Sequence, residues 1–154
     1  MSINLTLGEK EYFPNIKQIE YEGRDSDNPL AFKFYNSEKI VSGKPMREHL
    51  KFAVAYWHTF CGTGGDPFGP GTKRFPWNVS SNQMKAAYAR LDAAFEFFSK
   101  LGVDYYCFHD RDLAPEGNDA NESEEYLRQL TQAAKGKQKE SGVKLLWGTA
   151  NLFS

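Results

Sequence analysis

What most constrains this chain is the order of its apolar runs: from about residue 51 onward, short strand-like runs alternate with long helical ones. Residues 51–60 (KFAVAYWHTF) form an apolar, aromatic-rich run of the kind expected from a strand buried on both faces. Met84, Ala87, Tyr88, Leu91, Ala94, Phe95, Phe98 and Leu101 then recur at helical spacing. Ser80 and Gln83 offer a capping box ahead of that stripe, and Gly102 supplies a stop behind it. Residues 103–109 (VDYYCFH) are a second strand candidate. Ser123 can cap a second helix, with Glu124 and Glu125 in its first turn and Lys135, Lys137 and Lys139 towards its end. That polarity complements the helix dipole. Gly142 ends this helix, and residues 143–149 (VKLLWGT) are the third strand candidate.

Strand, helix, strand, helix, strand reads as parallel βαβ units and an α/β fold. A doubly wound sheet and a (β/α)8 barrel would both begin this way. Ahead of it, residues 1–50 form an irregular N-terminal arm, broken by turn chemistry at Ser42-Gly43-Lys44-Pro45 and a helix-forming stretch at 46–49. Phe13, Ile16, Ile19 and Tyr21 could anchor the arm onto the barrel or a neighbouring subunit. The second unit is then 51–154. A full barrel needs about 250 residues, and three parallel strands leave two open edges and an uncovered apolar face. The expectation is a fragment, or one piece of a split protein, with a doubly wound sheet and a partial barrel both open.

Charge adds exclusions. The formal net charge is −1, so no global field points to nucleic acid or to an anionic membrane. No run approaches the roughly 20 apolar residues of a membrane span, and the N-terminal residues lack a signal-peptide pattern. Two cysteines, Cys61 and Cys107, lie in apolar runs without zinc-type spacing. They read as reduced, structural thiols of a cytoplasmic protein.

In barrel enzymes the working residues sit at the C-terminal ends of strands. Here His109-Asp110-Arg111-Asp112 is the concentrated titratable cluster at such an end. Histidine works as acid or base near neutral pH when a neighbour fixes its tautomer, and Asp112, on the turn beyond the strand, is the candidate for that. The residues alone leave three readings open: a solvated turn with an internal Arg111 ion pair, a metal site, or acid–base catalysis. His49 reads as a surface residue and His58 as a hydrogen-bonded core histidine. The Gly/Pro-rich loop at 62–77 lacks the phosphate-cradling glycine patterns and does not open directly into a helix.

Four blocks carry a resemblance: Tyr56-Trp57-His58-Thr59-Phe60-Cys61, Asp66-Pro67-Phe68-Gly69, Cys107-Phe108-His109-Asp110-Arg111-Asp112, and the run from Leu145 to Ser154 (LLWGTANLFS). In this order and spacing they resemble the xylose isomerases. Tyr12-Phe13 and Asn28-Pro29-Leu30-Ala31-Phe32 are similar to the longer N-terminal extension of the family's larger class.

The resemblance implies a (β/α)8 aldose–ketose isomerase, usually a homotetramer, acting on xylose or glucose with two divalent cations (Mg, Mn or Co). It implies that His109 assists ring opening, that Asp112 orients it, and that Trp57, Phe153 and Thr149 line the sugar pocket. Phe68 would reach a neighbouring subunit's site. The family's metal ligands come from later strands, so no cation is expected on this chain alone, and its partner would be the remainder of the barrel. The alternative is a non-catalytic isomerase segment serving as an assembly or sugar-binding module.

Overall fold

The structure is a computed structural model that describes residue 5, residues 8–78 and residues 80–151. Its centre is a parallel sheet in the order β3 (Ala53–Ala55), β4 (Tyr105–His109), β5 (Lys144–Thr149). Two long helices make the crossovers, α2 (Gln83–Leu101) between β3 and β4 and α4 (Ala120–Ser141) between β4 and β5, and they pack on each other. This is the α/β pattern of parallel strands and helices expected of a partial barrel.

Both helices end where the sequence says. Gly102 and Gly142 take left-handed conformations at φ +75 and +82, and their N–H groups close onto Phe98 and Gln138 carbonyls. The starts differ from expectation. Asn82, not Ser80, caps α2 by accepting the Lys85 N–H at 2.9 Å, while Ser80 Oγ accepts the Asn82 N–H. Asp119, not Ser123, caps α4 by accepting the Glu122 N–H. Ser123 lies one turn in and donates to the Asp119 carbonyl. In both cases a carbonyl-type oxygen nearer the first helical turn wins over a hydroxyl.

The run at 51–60 corrects the expected strand most sharply. Pairing lasts three residues, and Trp57–Cys61 wind into one π-helical turn, closed by the Gly62 N–H on the Trp57 carbonyl at 2.7 Å. The turn lets Tyr56 and Phe60, four residues apart, both enter the core with no exposed surface. It also turns His58 outwards, so His58 is exposed and not a core histidine. His49 is exposed as expected, its ring against the Val41 carbonyl.

The core is aromatic. Phe95 and Phe98 of α2 meet Tyr106 of β4 at 5.3 and 5.1 Å, and Phe60 contacts Phe98 and Trp77. The loop from Gly62 is folded back over this core, because Trp77 stacks on Phe75 at 4.7 Å and its indole N–H donates to the Phe60 carbonyl. β5 is the contrast. Every residue in it is exposed, including Leu145, Leu146 and Trp147 at 38, 45 and 40%.

The arm carries β1 (Ile40–Val41) and β2 (Lys44–Pro45), a hairpin turned through Ser42 and Gly43 at positive φ, followed by α1 (Met46–His49). Its earlier part is pinned to α2 by a buried ion pair, Glu96 and Lys100, at the i,i+4 spacing. The Glu96 carboxylate accepts the backbone N–H groups of Tyr12 and Phe13 at 2.7 and 2.9 Å. Lys100 Nζ donates to Glu11 and to the Phe13 carbonyl.

Candidate functional site

His109 is the last residue of β4, and α3 (Asp110–Leu113) begins immediately after it. One turn of helix brings residue 112 back over residue 109. Asp112 Oδ2 therefore accepts two hydrogen bonds, from the His109 backbone N–H at 2.8 Å and from Nδ1 at 2.9 Å. A carboxylate can only accept, so the proton of this bond sits on Nδ1, and in the neutral ring the lone pair is then on Nε2. The Asp112 side chain is 11% exposed and that of His109 is 29% exposed. The pair is shielded but reachable.

The other charged groups of the cluster have separate tasks. Arg111 reaches Glu116 at 3.5 Å and does not pair with the aspartates. Asp110 Oδ1 accepts the backbone N–H groups of Arg111 and Asn151, tying the segment after β5 to the turn after β4.

Beside the imidazole stands an indole wall. The π-turn places Trp57 with its ring 4.6 Å from that of His109. Trp147 completes the group at 5.5 Å from Trp57 and 5.8 Å from His109. β5 reaches this arrangement through an irregularity in its register: Tyr106 pairs with Leu145 but Cys107 with Trp147, so Leu146 is the extra residue. Thr149 pairs directly with His109 at the strand end and is exposed.

His109, Asp112, Trp57 and Thr149 are thus brought together. Phe68 is not: it is 97% exposed, on a turn held by Asp66 Oδ1 accepting the Phe68 and Gly69 N–H groups. Phe153 lies outside the described residues. Sequence reasoning missed Trp147, although it sits two residues before Thr149 and so on the same strand face. It placed Asp110 in the titratable cluster but gave it no role, because its bonds to backbone N–H groups follow no spacing rule.

Among the described residues no three His, Cys, Asp or Glu side chains converge as a metal ion would require. Nor does the site lie in the cavity of about 820 Å³ that opens among Phe52, Val54, Leu101 and Asp104 at the N-terminal ends of the strands. The two cysteines are free, and burial pushes the Cys61 thiol up to about 11. No helix among the described residues is long and apolar enough to cross a membrane.

The fold is thus a parallel strand–helix unit with a carboxylate-oriented histidine at the C-terminal end of its middle strand. Over its full length the chain is similar to xylose isomerases, matching their N-terminal third. It is 62% identical over all 154 residues to xylose isomerase 1 of Xanthomonas campestris pv. campestris, covering 34% of that relative. It is 58% identical over 154 residues to the xylose isomerase of Xanthomonas oryzae pv. oryzae, covering 35%. With xylose isomerase 1 of Xanthomonas axonopodis pv. citri it shares 60% over 148 residues, 96% of this chain and 34% of the relative. The chain spans about a third of the length of the relatives it matches. No protein-family model matches it.

Proposed function

We propose that this chain supplies the ring-opening half of an aldose–ketose isomerase that converts xylose to xylulose. The observation that carries the reading is the His109–Asp112 pair against Trp57, in a chain 62% identical to a xylose isomerase. With Nδ1–H held by Asp112, Nε2 can take the proton of a sugar's anomeric hydroxyl. The bond from C1 to the ring oxygen then breaks as the C1 carbonyl forms, and the imidazolium returns that proton to the ring oxygen. Trp57 and Trp147 offer flat apolar faces to the sugar's C–H surface, while Thr149 and Phe153 flank it in this reading. The divalent cations (Mg, Mn or Co) would be held by the remainder of the enzyme, and the 1,2-hydride shift belongs there. In a complete homotetramer, Phe68 would enter a neighbouring subunit's site. A cytoplasmic location and glucose as a second substrate belong to the same proposal.

The test is a coupled xylulose assay on this chain, on its mixture with the remainder of a xylose isomerase, and on that mixture carrying His109→Ala. The expected result is turnover in the mixture alone, cut by about 10² or more by His109→Ala with cyclic xylose. Turnover by the chain alone, or an unaffected mutant mixture, would overturn the reading.

A further inference from the structure

Cys61 is a partly buried thiol that the proposed chemistry does not use, and it occupies a mechanical junction. It is the last residue of the π-turn whose first residue, Trp57, faces His109. Its Sγ–H donates to the backbone carbonyl of Asp112 at 3.5 Å, across 51 positions of sequence. Asp112 is therefore held from two sides, by His109 at its carboxylate and by Cys61 at its carbonyl.

We propose that Cys61 is a positioning residue, whose thiol donor locks the turn carrying Trp57 to the turn carrying Asp112 so that the His109 imidazole keeps one tautomer and one wall. Burial keeps the thiol protonated, and hence a donor, throughout the neutral range. The neighbouring thiol shows the contrast: Cys107 donates to the Val54 carbonyl at 3.7 Å, within the sheet, and links no part of the site. A thiol bond is weak, but here it runs directly between the turn that carries Trp57 and the turn that carries Asp112.

The inference rests on His109–Asp112 being the working pair, yet its test reads the imidazole and not turnover, so failure of the isomerase reading leaves it separately decidable. The ring nitrogens of the 15N-labelled chain are followed by NMR, with His109 assigned through His109→Gln. The variants compared are Cys61→Ala, Cys61→Val and Cys61→Ser. Ala and Val lack the donor, Val keeps the volume, and Ser keeps a donor but places a hydroxyl in a half-buried site. The expected result is a rise of about twofold to fivefold in the Nε2–H tautomer with Ala and Val, the shift a weak hydrogen bond can impose. The nuclear Overhauser contact between Trp57 and His109 should weaken in parallel, and Ser should restore both. If Cys61→Ala does not fold, the comparison of Val with Ser decides alone. An unchanged tautomer in the donor-less variants overturns the proposal. So does a Ser variant as disturbed as Val, since that would make packing, not the donor, the cause.

Discussion

Asp112 and Glu96 show how much a single carboxylate can organise when it is buried beside backbone N–H groups. Asp112→Asn preserves shape but replaces a double acceptor with an amide whose NH2 can face Nδ1, favouring the opposite tautomer. We expect it to lower turnover of the reconstituted enzyme by about 10²-fold or more, while the melting temperature of the chain changes little. Equal activity of Asn and Asp forms would remove the orienting role. Glu96 has no exposed surface and accepts from Tyr12, Phe13 and Lys100. Its removal leaves a buried ammonium with one partner fewer and two amides without an acceptor. Glu96→Ala should therefore cost about 3 kcal/mol in urea unfolding, and hydrogen exchange at Tyr12 and Phe13 should accelerate. A loss under about 1 kcal/mol would mean that the arm is held mainly by Phe13 against Phe97.

At the scale of elements, the helices were legible and the first strand was not. A stripe over five turns and a glycine stop leave little choice for α2, and the same holds for the C-terminus of α4. The run at 51–60 is apolar and aromatic throughout, so it has no period to separate strand from helix. What decides is tertiary: Tyr56 and Phe60 can share one core only if the chain coils between them. The site was half legible for the same reason. His109 and Asp112 meet through local helical geometry, whereas Trp147 arrives through a register irregularity between strands that the sequence does not encode locally. Two glycines test the element-level account with opposite signs. At Gly102 an added Cβ would meet Gln18 and Ile19 at ordinary contact distances of 3.5 and 3.6 Å, so the cost of Gly102→Ala is conformational. With φ at +75 we expect about 1 kcal/mol of destabilisation. Gly136 lies within α4, exposed, with nothing within 4 Å of an added Cβ. Gly136→Ala should stabilise by about 1 kcal/mol. Thermal melts of both variants check this; shifts of the same sign would contradict the assigned helix boundaries.

Across the whole molecule, the aromatic core sits between the sheet and α2, and it surrounds several protonated groups that water would ionise at high pH. Cys61 titrates at about 11 and Tyr106 at about 12, each raised by burial, with the Gln138 amide bonded to the Tyr106 hydroxyl working in the opposite sense. Burial also raises Cys107 and Tyr56. For Lys100 burial opposes the charge, but hydrogen bonds to Glu11 and Glu96 outweigh it and its pKa is raised as well. All these shifts have one sign. Above pH 9 the folded chain holds protons that the unfolded chain has released, so stability is full below the unfolded values and falls as pH rises through the folded ones. The ordinary values are 9.0 for the thiols, 10.0 for the phenols and 10.5 for the lysine. Urea midpoints should therefore hold steady near neutrality and decline from about pH 9 to pH 12, each uncompensated proton contributing a slope of about 1.4 kcal/mol per pH unit. Cys61→Ala removes one such proton, so its decline between pH 9 and 11 should be shallower than that of the parent chain even though its stability at pH 7 is lower. Parallel curves for the two proteins would show that the Cys61 thiol is open to solvent, and a rise in stability above pH 9 would show that the core does not exclude water from these groups.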